Sequence, residues 1–184
     1  MTRMPHLAEL RWDWADRLAA TVKTNGDVQD TYFTYDAGGQ RVRKVYEHAG
    51  LVEERIYLGG YEVYRKHTGA VSAPADLERQ TLHLMDDQRR VAMAETKTID
   101  TSSGAGPTRY RFQLDNHLGS ASLELDDAAA VISYEEYHPY GSTAFHTARG
   151  GAEVSAKRYR YTGKEKDEET GLYYHGARYY APWL

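Results

Sequence analysis

Residues 158–184 read RYRYTGKEKDEETGLYYHGARYYAPWL, and this stretch decides how the rest of the sequence is interpreted. Aromatic and basic residues alternate at its start, which predicts a strand with tyrosines on one face and arginines on the other. An acidic turn ends at Thr170-Gly171, and a second aromatic strand follows that breaks at Gly176 and stops at Pro182. No catalytic centre is evident, so we interpret the stretch as a structural closing element preceded by weaker copies of the same hairpin.

The composition is that of a turn-rich β protein. The 184 residues include 16 tyrosines, three phenylalanines and 16 glycines, and 41% of the residues are hydrophobic. Tyrosine suits half-exposed sheets because its ring packs while its hydroxyl reaches water or a polar neighbour. Glycine supplies the turns that join short strands.

The same totals exclude or disfavour several classes of function. There is no cysteine, which excludes disulfides, thiol catalysis and thiolate metal sites. The formal net charge of -4 gives no electrostatic argument for nucleic-acid binding. No apolar run approaches the roughly 20 residues of a transmembrane helix. Residues 1–10 also lack the apolar core of a signal peptide.

Two interpretations of residues 1–23 remain open from the residues themselves. Leu7, Leu10, Trp14 and Leu18 have the spacing of an amphipathic helix. The competing interpretation is a pair of strands, 10–12 and 17–22, joined by a turn at residues 13–16. We favour the strands, because Trp12-Asp13 resembles an element that recurs later in the chain. Asn25-Gly26-Asp27 then predicts a turn.

The chain from residue 30 onward predicts a series of antiparallel hairpins. Alternating strands are separated by turn signals such as Asp36-Ala37-Gly38-Gly39 and Gly59-Gly60. Residues 100–107 are rich in Ser, Gly and Pro, which predicts an exposed loop. Residues 143–156 are small, polar and aperiodic, and we expect them to be mobile. A strand pair is expected around residues 86–88, and another over Asp126-Asp127.

Internal similarity organises these hairpins. An aromatic residue followed by aspartate begins several units, as in Trp12-Asp13 and Tyr35-Asp36, and Leu114-Asp115 is a looser copy. The spacing of roughly 20 to 30 residues lies in the range of repeat architectures, in which each unit buries its face by stacking on its neighbours. The predicted fold class is therefore all-β, with antiparallel hairpins forming a curved, spiralling sheet strip.

Several of these segments resemble a known family. Residues 35–42 read YDAGGQRV and resemble a YD repeat. DNHLGS at 115–120, YHPYG at 137–141, RYTG at 160–163, ETGLYY at 169–174 and RYY at 178–180 resemble the RHS repeat-associated core in order and spacing. The relatives that this resemblance suggests are C subunits of bacterial insecticidal toxin complexes and related RHS toxins. It is strong from about residue 32 onward.

The resemblance implies a fold and a function. In the family, the repeats wind into a hollow shell that encloses a variable C-terminal toxin, and an aspartyl autoprotease in the core cuts that toxin free. The implied partners are the remaining repeats and the toxin cargo of a parent polypeptide, and a B-type subunit of the toxin complex. The implied localisation is bacterial, cytoplasmic until export. Neither a nucleic acid nor a membrane span is expected.

The sequence departs from the family pattern where catalysis would lie. It contains no Asp-Pro pair, and alanine and histidine stand before Pro182 and Pro139. We therefore predict no catalytic residue, cofactor or metal, and interpret the chain as a shell fragment that is not an enzyme. The expected divisions are a partial repeat or poorly ordered segment at 1–29, YD-repeat hairpins at 30–108, and a truncated core at 109–184.

Other chemistry is weaker than the structural interpretation. Asp167, Glu168 and Glu169 could bind a cation, but they lack the alternating ligands of a calcium loop. The histidines show no pair at metal-ligand spacing. The resemblance instead marks structural motif positions, which are Asp115, His117, Gly119, Pro139, Gly141, Gly163, Gly171, Tyr173, Tyr174, Arg178, Tyr179 and Tyr180.

An alternative function concerns the tyrosine-rich faces. Exposed aromatic stripes flanked by arginine are suited to binding carbohydrate or a partner protein. We favour the interpretation that these tyrosines pack across strands, because a closing element must be buried to close anything. Wide exposure of those rings would support the surface binding module instead.

Overall fold

The computed structural model describes residues 1–23, 29–87, 89–150, 155–176 and 178–184. Within these residues the chain is all-β, with a twelve-stranded antiparallel sheet and a separate three-stranded sheet. In the large sheet every strand lies beside its sequence neighbours, as the predicted series of hairpins requires. Its strands are β1 (Leu7–Trp12), β2 (Leu18–Lys23), β3 (Gln29–Tyr35), β4 (Arg41–His48), β5 (Leu51–Leu58), β6 (Tyr61–Thr68), β7 (Leu77–Asp86), β8 (Arg89–Asp100), β9 (Arg109–Asp115), β10 (Ala121–Leu125), β11 (Val131–Tyr137) and β12 (Thr143–Ala148).

The small sheet is built from the end of the chain. Its three two-residue strands are β13 (Glu165–Lys166), β14 (Tyr173–Tyr174) and β15 (Tyr179–Tyr180). β14 pairs antiparallel with both of the others. Strands this short form few main-chain hydrogen bonds, so side-chain packing holds this sheet in place.

The chain divides into two compact units. The first consists mainly of Met1–Gln80 and Lys97–Gly106, and the second mainly of Thr81–Thr96 and Pro107–His175. In the first unit the apolar core is formed by strand residues that include Leu7, Leu10, Leu18, Ala20, Phe33, Val45 and Val52.

Charged side chains are also buried in the first unit. Arg55 contacts Glu62 at 3.3 Å, and the Glu62 side chain is only 2% exposed. The Arg41 guanidinium lies over the rings of Phe33 and Tyr57, at 5.5 and 5.0 Å from their centroids. Partners of this kind are needed because an unpaired buried charge is strongly destabilising.

One turn geometry recurs between strands. The Asp36 main-chain N–H donates to the Gln40 carbonyl, and the Gly39 N–H donates to the Asp36 carbonyl. The residue three positions after the first has a positive φ, which glycine adopts without strain. The same pair of hydrogen bonds forms in turns that begin at Asp13, Asp36, Asn116, Asp126, His138 and Arg160.

The aspartate of the aromatic–aspartate signature stabilises this turn. Asp36 Oδ1 accepts the Gln40 N–H at 2.9 Å, and Asn116 Oδ1 accepts the Leu118 and Ser120 N–H groups at 2.9 and 3.1 Å. Short Asx side chains are favoured in turns because they mimic a main-chain acceptor. The role of the Asx side chain in the repeat is therefore to accept main-chain hydrogen bonds within the turn.

The tyrosine before the turn ties one repeat to the preceding one. Tyr35 donates its hydroxyl to the Leu18 carbonyl at 2.7 Å, and Tyr137 donates to the Ala121 carbonyl at 2.8 Å. Leu18 and Ala121 each lie five positions after the first residue of an earlier turn, at Asp13 and Asn116 respectively. The aromatic residue and the aspartate thus have separate roles, the first between repeats and the second within a turn.

The N-terminal strands are confirmed and the helix is not formed. β1 and β2 pair antiparallel, and Trp12 precedes a turn of the recurring kind. Of the four residues with helical spacing, Leu7, Leu10 and Leu18 are buried strand residues, while Trp14 lies in the turn and is 93% exposed. A register irregularity between Leu7 and Glu9 allows Leu7 and Leu10 to be buried on one strand although they are three residues apart. The turn predicted at Asn25-Gly26-Asp27 and the residue Gln88 of another predicted turn lie outside the described residues.

Two predictions for the second half of the chain are wrong. Residues 143–148 form β12 rather than a mobile segment, because main-chain pairing with β11 does not require an apolar pattern. The alternating start of the closing stretch is not a strand. Tyr159 makes an isolated bridge, and Tyr161–Gly163 form a 3-10 turn with Thr162 at φ 50°. The turn that begins at Arg160 interrupts the alternation.

Removing the Tyr35 hydroxyl tests the link between repeats. We expect Tyr35→Phe to lower the free energy of unfolding by about 1 kcal/mol, because the Leu18 carbonyl loses its hydroxyl donor. Tyr32→Phe is the matched control, since that hydroxyl donates to the Asp30 carboxylate in a hydrogen bond exposed to solvent. Urea denaturation of both variants measures the difference, and equal losses would contradict the assigned role.

Candidate functional site

The closing segment, residues 155–175 and 179–184, packs against the second unit's own strands. The strands beneath it present polar side chains on one face. Arg111 and Gln113 on β9 are buried on that face, as are Glu124 on β10 and Ser133 and Glu135 on β11. This face therefore offers charges and hydrogen-bonding groups, rather than an apolar surface, to the segment that covers it.

Glu135 is the centre of one buried network. It is 0% exposed and accepts hydrogen bonds from Thr143 Oγ1 at 2.7 Å and Tyr137 Oη at 3.1 Å. Two cations come from the closing segment, with Arg160 Nη1 at 3.1 Å and Lys157 Nζ at 3.3 Å. Lys157 also donates to the Ala121 carbonyl. Four donors thus surround one carboxylate that water does not reach.

Glu124 is the centre of a second network. Its carboxylate accepts hydrogen bonds from Arg111 and Gln113 at 2.8 Å each, and from Ser133 at 2.7 Å. Arg111 also reaches the closing segment, where its Nη1 donates to the Ser155 carbonyl at 2.8 Å. The two networks join the closing segment to β9, β10 and β11.

Both carboxylates are held in the charged form. Burial alone would raise the pKa of Glu124, but the Arg111 charge and the hydrogen bonds from Ser133 and Gln113 hold it below the ordinary value. Burial likewise opposes ionisation of Glu135, and the nearby cations Arg160 and Lys157 with the Thr143 hydroxyl lower its pKa. A carboxylate with several donors is a poor proton acceptor, so this arrangement suits structure rather than acid–base chemistry.

Tyrosine rings form the other half of the contact. Tyr161 lies 6.0 to 6.4 Å, between ring centroids, from Tyr137, Tyr173 and Tyr180. Tyr173 is 0% exposed, and its hydroxyl donates to the Gly141 carbonyl at 3.2 Å. Burial and the nearby Glu135 charge raise the pKa of the Tyr137 and Tyr173 hydroxyls, which remain protonated donors.

The turn at His138 receives these rings. Three tyrosine hydroxyls of the closing segment donate to consecutive turn carbonyls: Tyr161 to Pro139 at 2.8 Å, Tyr180 to Tyr140 at 2.7 Å, and Tyr173 to Gly141. Gly141 has φ +84°, and a Cβ built there would lie 2.5 Å from Tyr161 Cγ. Glycine at 141 is therefore required by its backbone conformation and by the Tyr161 ring.

The structure places the predicted motif positions unevenly. Pro139, Gly141, Tyr173 and Tyr180 meet at the His138 turn, and Tyr174 contacts the ring of Tyr179 at 5.4 Å between centroids.

The other motif positions lie apart from that meeting point. Asp115 forms an ion pair with Arg89 on β8, and the Asn116 turn holds exposed His117 as well as Gly119. Gly163 lies beside that turn, since a Cβ at 163 would be 3.3 Å from the Gly119 carbonyl, while Gly171 lies beside the Trp183 ring. Arg178 is exposed and belongs to the first unit.

Sequence reasoning missed the residues that form the ionic networks. Glu124, Glu135, Arg111 and Lys157 carry no motif, and charged residues in an alternating strand are ordinarily assigned to the solvent face. One signal was available. Leu123 and Leu125 flank Glu124, and successive side chains of a strand point to opposite faces. A strand covered on both faces would therefore bury either the leucines or the glutamate on each side.

No arrangement for metal chemistry is found in the described parts of the chain. There, no group of three His, Cys, Asp or Glu side chains is placed to hold a metal ion. In the same residues no helix is long and apolar enough to cross a membrane.

Two glycine substitutions separate backbone strain from ring packing. Gly119→Ala and Gly141→Ala both place a side chain at positive φ, but a Cβ at 119 meets no atom within 4 Å. We expect Gly119→Ala to cost about 1 kcal/mol of unfolding free energy and Gly141→Ala about 2–4 kcal/mol. Thermal denaturation of the pair measures the difference, and equal costs would contradict the contact with Tyr161.

The dependence of stability on pH tests the role of the buried carboxylates. A pKa held below the ordinary value of 4.5 makes the charged form stabilising, and that stability is lost as the pH falls through the folded-state pKa. We expect the unfolding free energy to fall as the pH drops below the ordinary carboxyl pKa of 4.5. Glu124→Gln should lose about 3 kcal/mol at pH 7, because Arg111 stays buried without its counter-charge. It should also show a weaker dependence on acid.

The control for this experiment is Glu9→Gln. Glu9 contacts Arg11 at 2.8 Å in an ion pair whose members are half exposed, so its loss should leave the stability at pH 7 unchanged. Chemical denaturation across the pH range gives both curves. An acid dependence as steep in Glu124→Gln as in the parent chain would contradict the role given to Glu124.

Comparison with known proteins identifies what this arrangement is similar to. No protein-family model matches the sequence. The chain is 38% identical over 159 residues to toxin subunit YenC2 of Yersinia entomophaga, covering 82% of this chain and 16% of that protein. Toxin subunit YenC1 of the same organism is 35% identical over 181 residues, covering 95% of this chain and 18% of that protein.

A solved structure has the same fold. The crystal structure of TcdB2-TccC3 superposes with a TM-score of 0.86 at 29% sequence identity, covering 100% of this chain and 9% of that chain. The chain spans less than a fifth of the length of the curated relatives named above, which are matched at 16% and 18% of their length. It is therefore homologous to a short segment of the C subunits of bacterial toxin complexes.

Proposed function

We propose that this chain is a structural segment of an RHS-type toxin shell that encapsulates a C-terminal toxin and helps to deliver it. The observation that carries the proposal is the burial of the closing segment on a charged sheet face through Glu124 and Glu135. A wall that confines a polypeptide must resist opening. Buried ion pairs are costly to separate, because removing one partner leaves the other charge unpaired in a low dielectric.

The proposed mechanism is containment without catalysis by this chain. The buried carboxylates are saturated by donors, and the tyrosine hydroxyls have a raised pKa, so both groups are suited to holding structure. The chain also lacks any Asp-Pro pair of the kind that the family resemblance associates with self-cleavage. The shell would act by keeping its cargo away from the surrounding solution.

The proposal assigns parts of the chain to separate roles. Residues 30–108 are the YD-repeat hairpins, and residues 109–184 are the repeat-associated core, which closes the strip. Residues 1–29 are a partial repeat, which is supported by the turn at Asp13 with the same hydrogen bonds as the turn at Asp36. The proposed structural positions are all the motif residues that the resemblance marks, of which Pro139, Gly141, Tyr173 and Tyr180 meet at the His138 turn.

The proposed partners follow from the relatives. They are the remaining repeats and toxin cargo of a parent polypeptide, together with a B-type subunit, because the similar solved structure contains TcdB2 with TccC3. The proposed setting is a bacterial protein that stays in the cytoplasm until it is exported.

A chimera tests containment. The segment of YenC2 that aligns with this chain is replaced by the present sequence, and the chimera is produced with a B-type subunit. We expect added protease to digest the cargo no faster in the chimera than in the unaltered complex, since the replaced wall keeps its fold. The control chimera carries Gly141→Val, which displaces Tyr161 and should make the cargo sensitive.

Digestion is followed over time with the cargo and the shell monitored separately. A folded chimera that forms the complex but leaves the cargo as sensitive as free cargo would overturn the containment role. Full protection in the Gly141→Val chimera would instead contradict the importance of the closing segment.

A further inference from the structure

The large sheet ends in two edge strands, which differ in whether other residues cover their outer side. β1 lies at one end of the strand order and β12 at the other. An edge strand presents a row of main-chain N–H and C=O groups that another strand can pair with. Proteins usually protect such edges by covering them or by placing charges, prolines or bulges along them.

The β1 edge is covered by the chain's own first residues. The Leu10 N–H donates to the Thr2 carbonyl at 2.9 Å, and Leu7 and Met4 exchange hydrogen bonds at 3.0 and 3.2 Å. The Trp12 indole also donates to the Met1 carbonyl at 2.7 Å. Residues 1–4 therefore occupy the side of β1 where a further strand would pair.

The β12 edge has no such cover among the residues that the structure describes. All six residues of Thr143–Ala148 are exposed. The Arg149 N–H donates to the Ile132 carbonyl, and bonded residues alternate along an antiparallel pair. The main-chain groups of His146 and Ala148 consequently point away from β11 and toward solvent.

The sequence of β12 does not oppose pairing. It reads TAFHTA and contains no lysine, acidic residue or proline. Two copies would therefore bring no opposed acidic or lysine charges together at this edge. Phe145 is 52% exposed and contacts the ring of Tyr134, at 6.3 Å between centroids.

Through its contact with Tyr134, Phe145 also extends an exposed stripe that is mainly apolar, and its in-register partner on β11 is the exposed Glu136. Leu125 pairs with Phe112 and Leu123 with Leu114 in register, and Leu123 pairs with Tyr134 on its other side. Phe112 and Leu114 are 44% and 49% exposed. A strand added at β12 would extend this stripe and cover apolar area at the edge, which favours association.

From these observations we infer that β12 is a pairing edge that joins two copies of this chain in an antiparallel dimer. A second copy fits this edge because it brings the same neutral strand, the same outward donors and acceptors, and the same apolar flank. Because β1 is covered, β12 is the pairing edge of the large sheet in each copy. The assembly is then closed at two copies related by a twofold axis, rather than an open fibre.

Sedimentation velocity over a concentration series tests this pairing. We expect a monomer–dimer equilibrium for the parent chain. His146→Pro removes an outward N–H without touching the hydrogen bonds to β11, because proline is tolerated where the N–H of an edge strand faces solvent. The dimer Kd should rise roughly tenfold or more, since each dimer loses symmetry-related hydrogen bonds.

The matched control is His146→Ala, which keeps the N–H and should keep the dimer. The melting temperature of each monomer checks that the fold is intact. If His146→Pro does not fold, Ala148→Pro makes the same test at the other outward position. Amide hydrogen exchange provides a direct readout, since the His146 and Ala148 amides should become protected as the protein concentration rises.

Three results would overturn the inference. The first is a parent chain that stays monomeric throughout the series. The second is a dimer that survives proline at an outward position with its Kd unchanged. The third is growth beyond two copies, because pairing through β12 alone stops at two.

Discussion

Charge that is buried away from water constrains the second unit more than any other feature. Glu124 and Glu135 are both 0% exposed, and such a group is tolerated only when its full set of hydrogen-bond partners is present. Part of that set lies on the sheet and part on the closing segment, as with Lys157 and Arg160 around Glu135. Neither side is stable in this form without the other, so the ionic contact fixes where the segment lies.

Aromatic packing adds position to that attachment. The tyrosine hydroxyls bind successive carbonyls of a single turn, and Gly141 lets the Tyr161 ring approach the backbone. Rings supply contact area, while hydroxyl groups supply direction. Together with the ionic networks, this explains how three strands of two residues each remain attached, although their own ladders are too short to do so.

The sequence was informative about the hairpins and much less so about the contacts beneath the closing segment. Alternation and turn residues predicted the strands from Gln29–Tyr35 onward, because both signals are local. β12 could not be predicted from its own residues, which lack an alternating apolar pattern. It forms because its main chain pairs with the neighbouring β11. The Glu124 and Glu135 networks were missed for a related reason. Which face of a strand is buried depends on residues distant in the chain, such as Ser155 and Arg160.

The tyrosine that links repeats also bears on the order in which the strip can fold during synthesis. Tyr35 binds the carbonyl of Leu18, and Tyr137 binds that of Ala121, so in both cases the acceptor precedes the donor in the chain. During synthesis the acceptor has left the ribosome before the tyrosine emerges, since domains form from the N-terminal side at the pace of translation. At these two places a newly made hairpin can therefore bind chain that is already folded, which suits assembly in the order of translation.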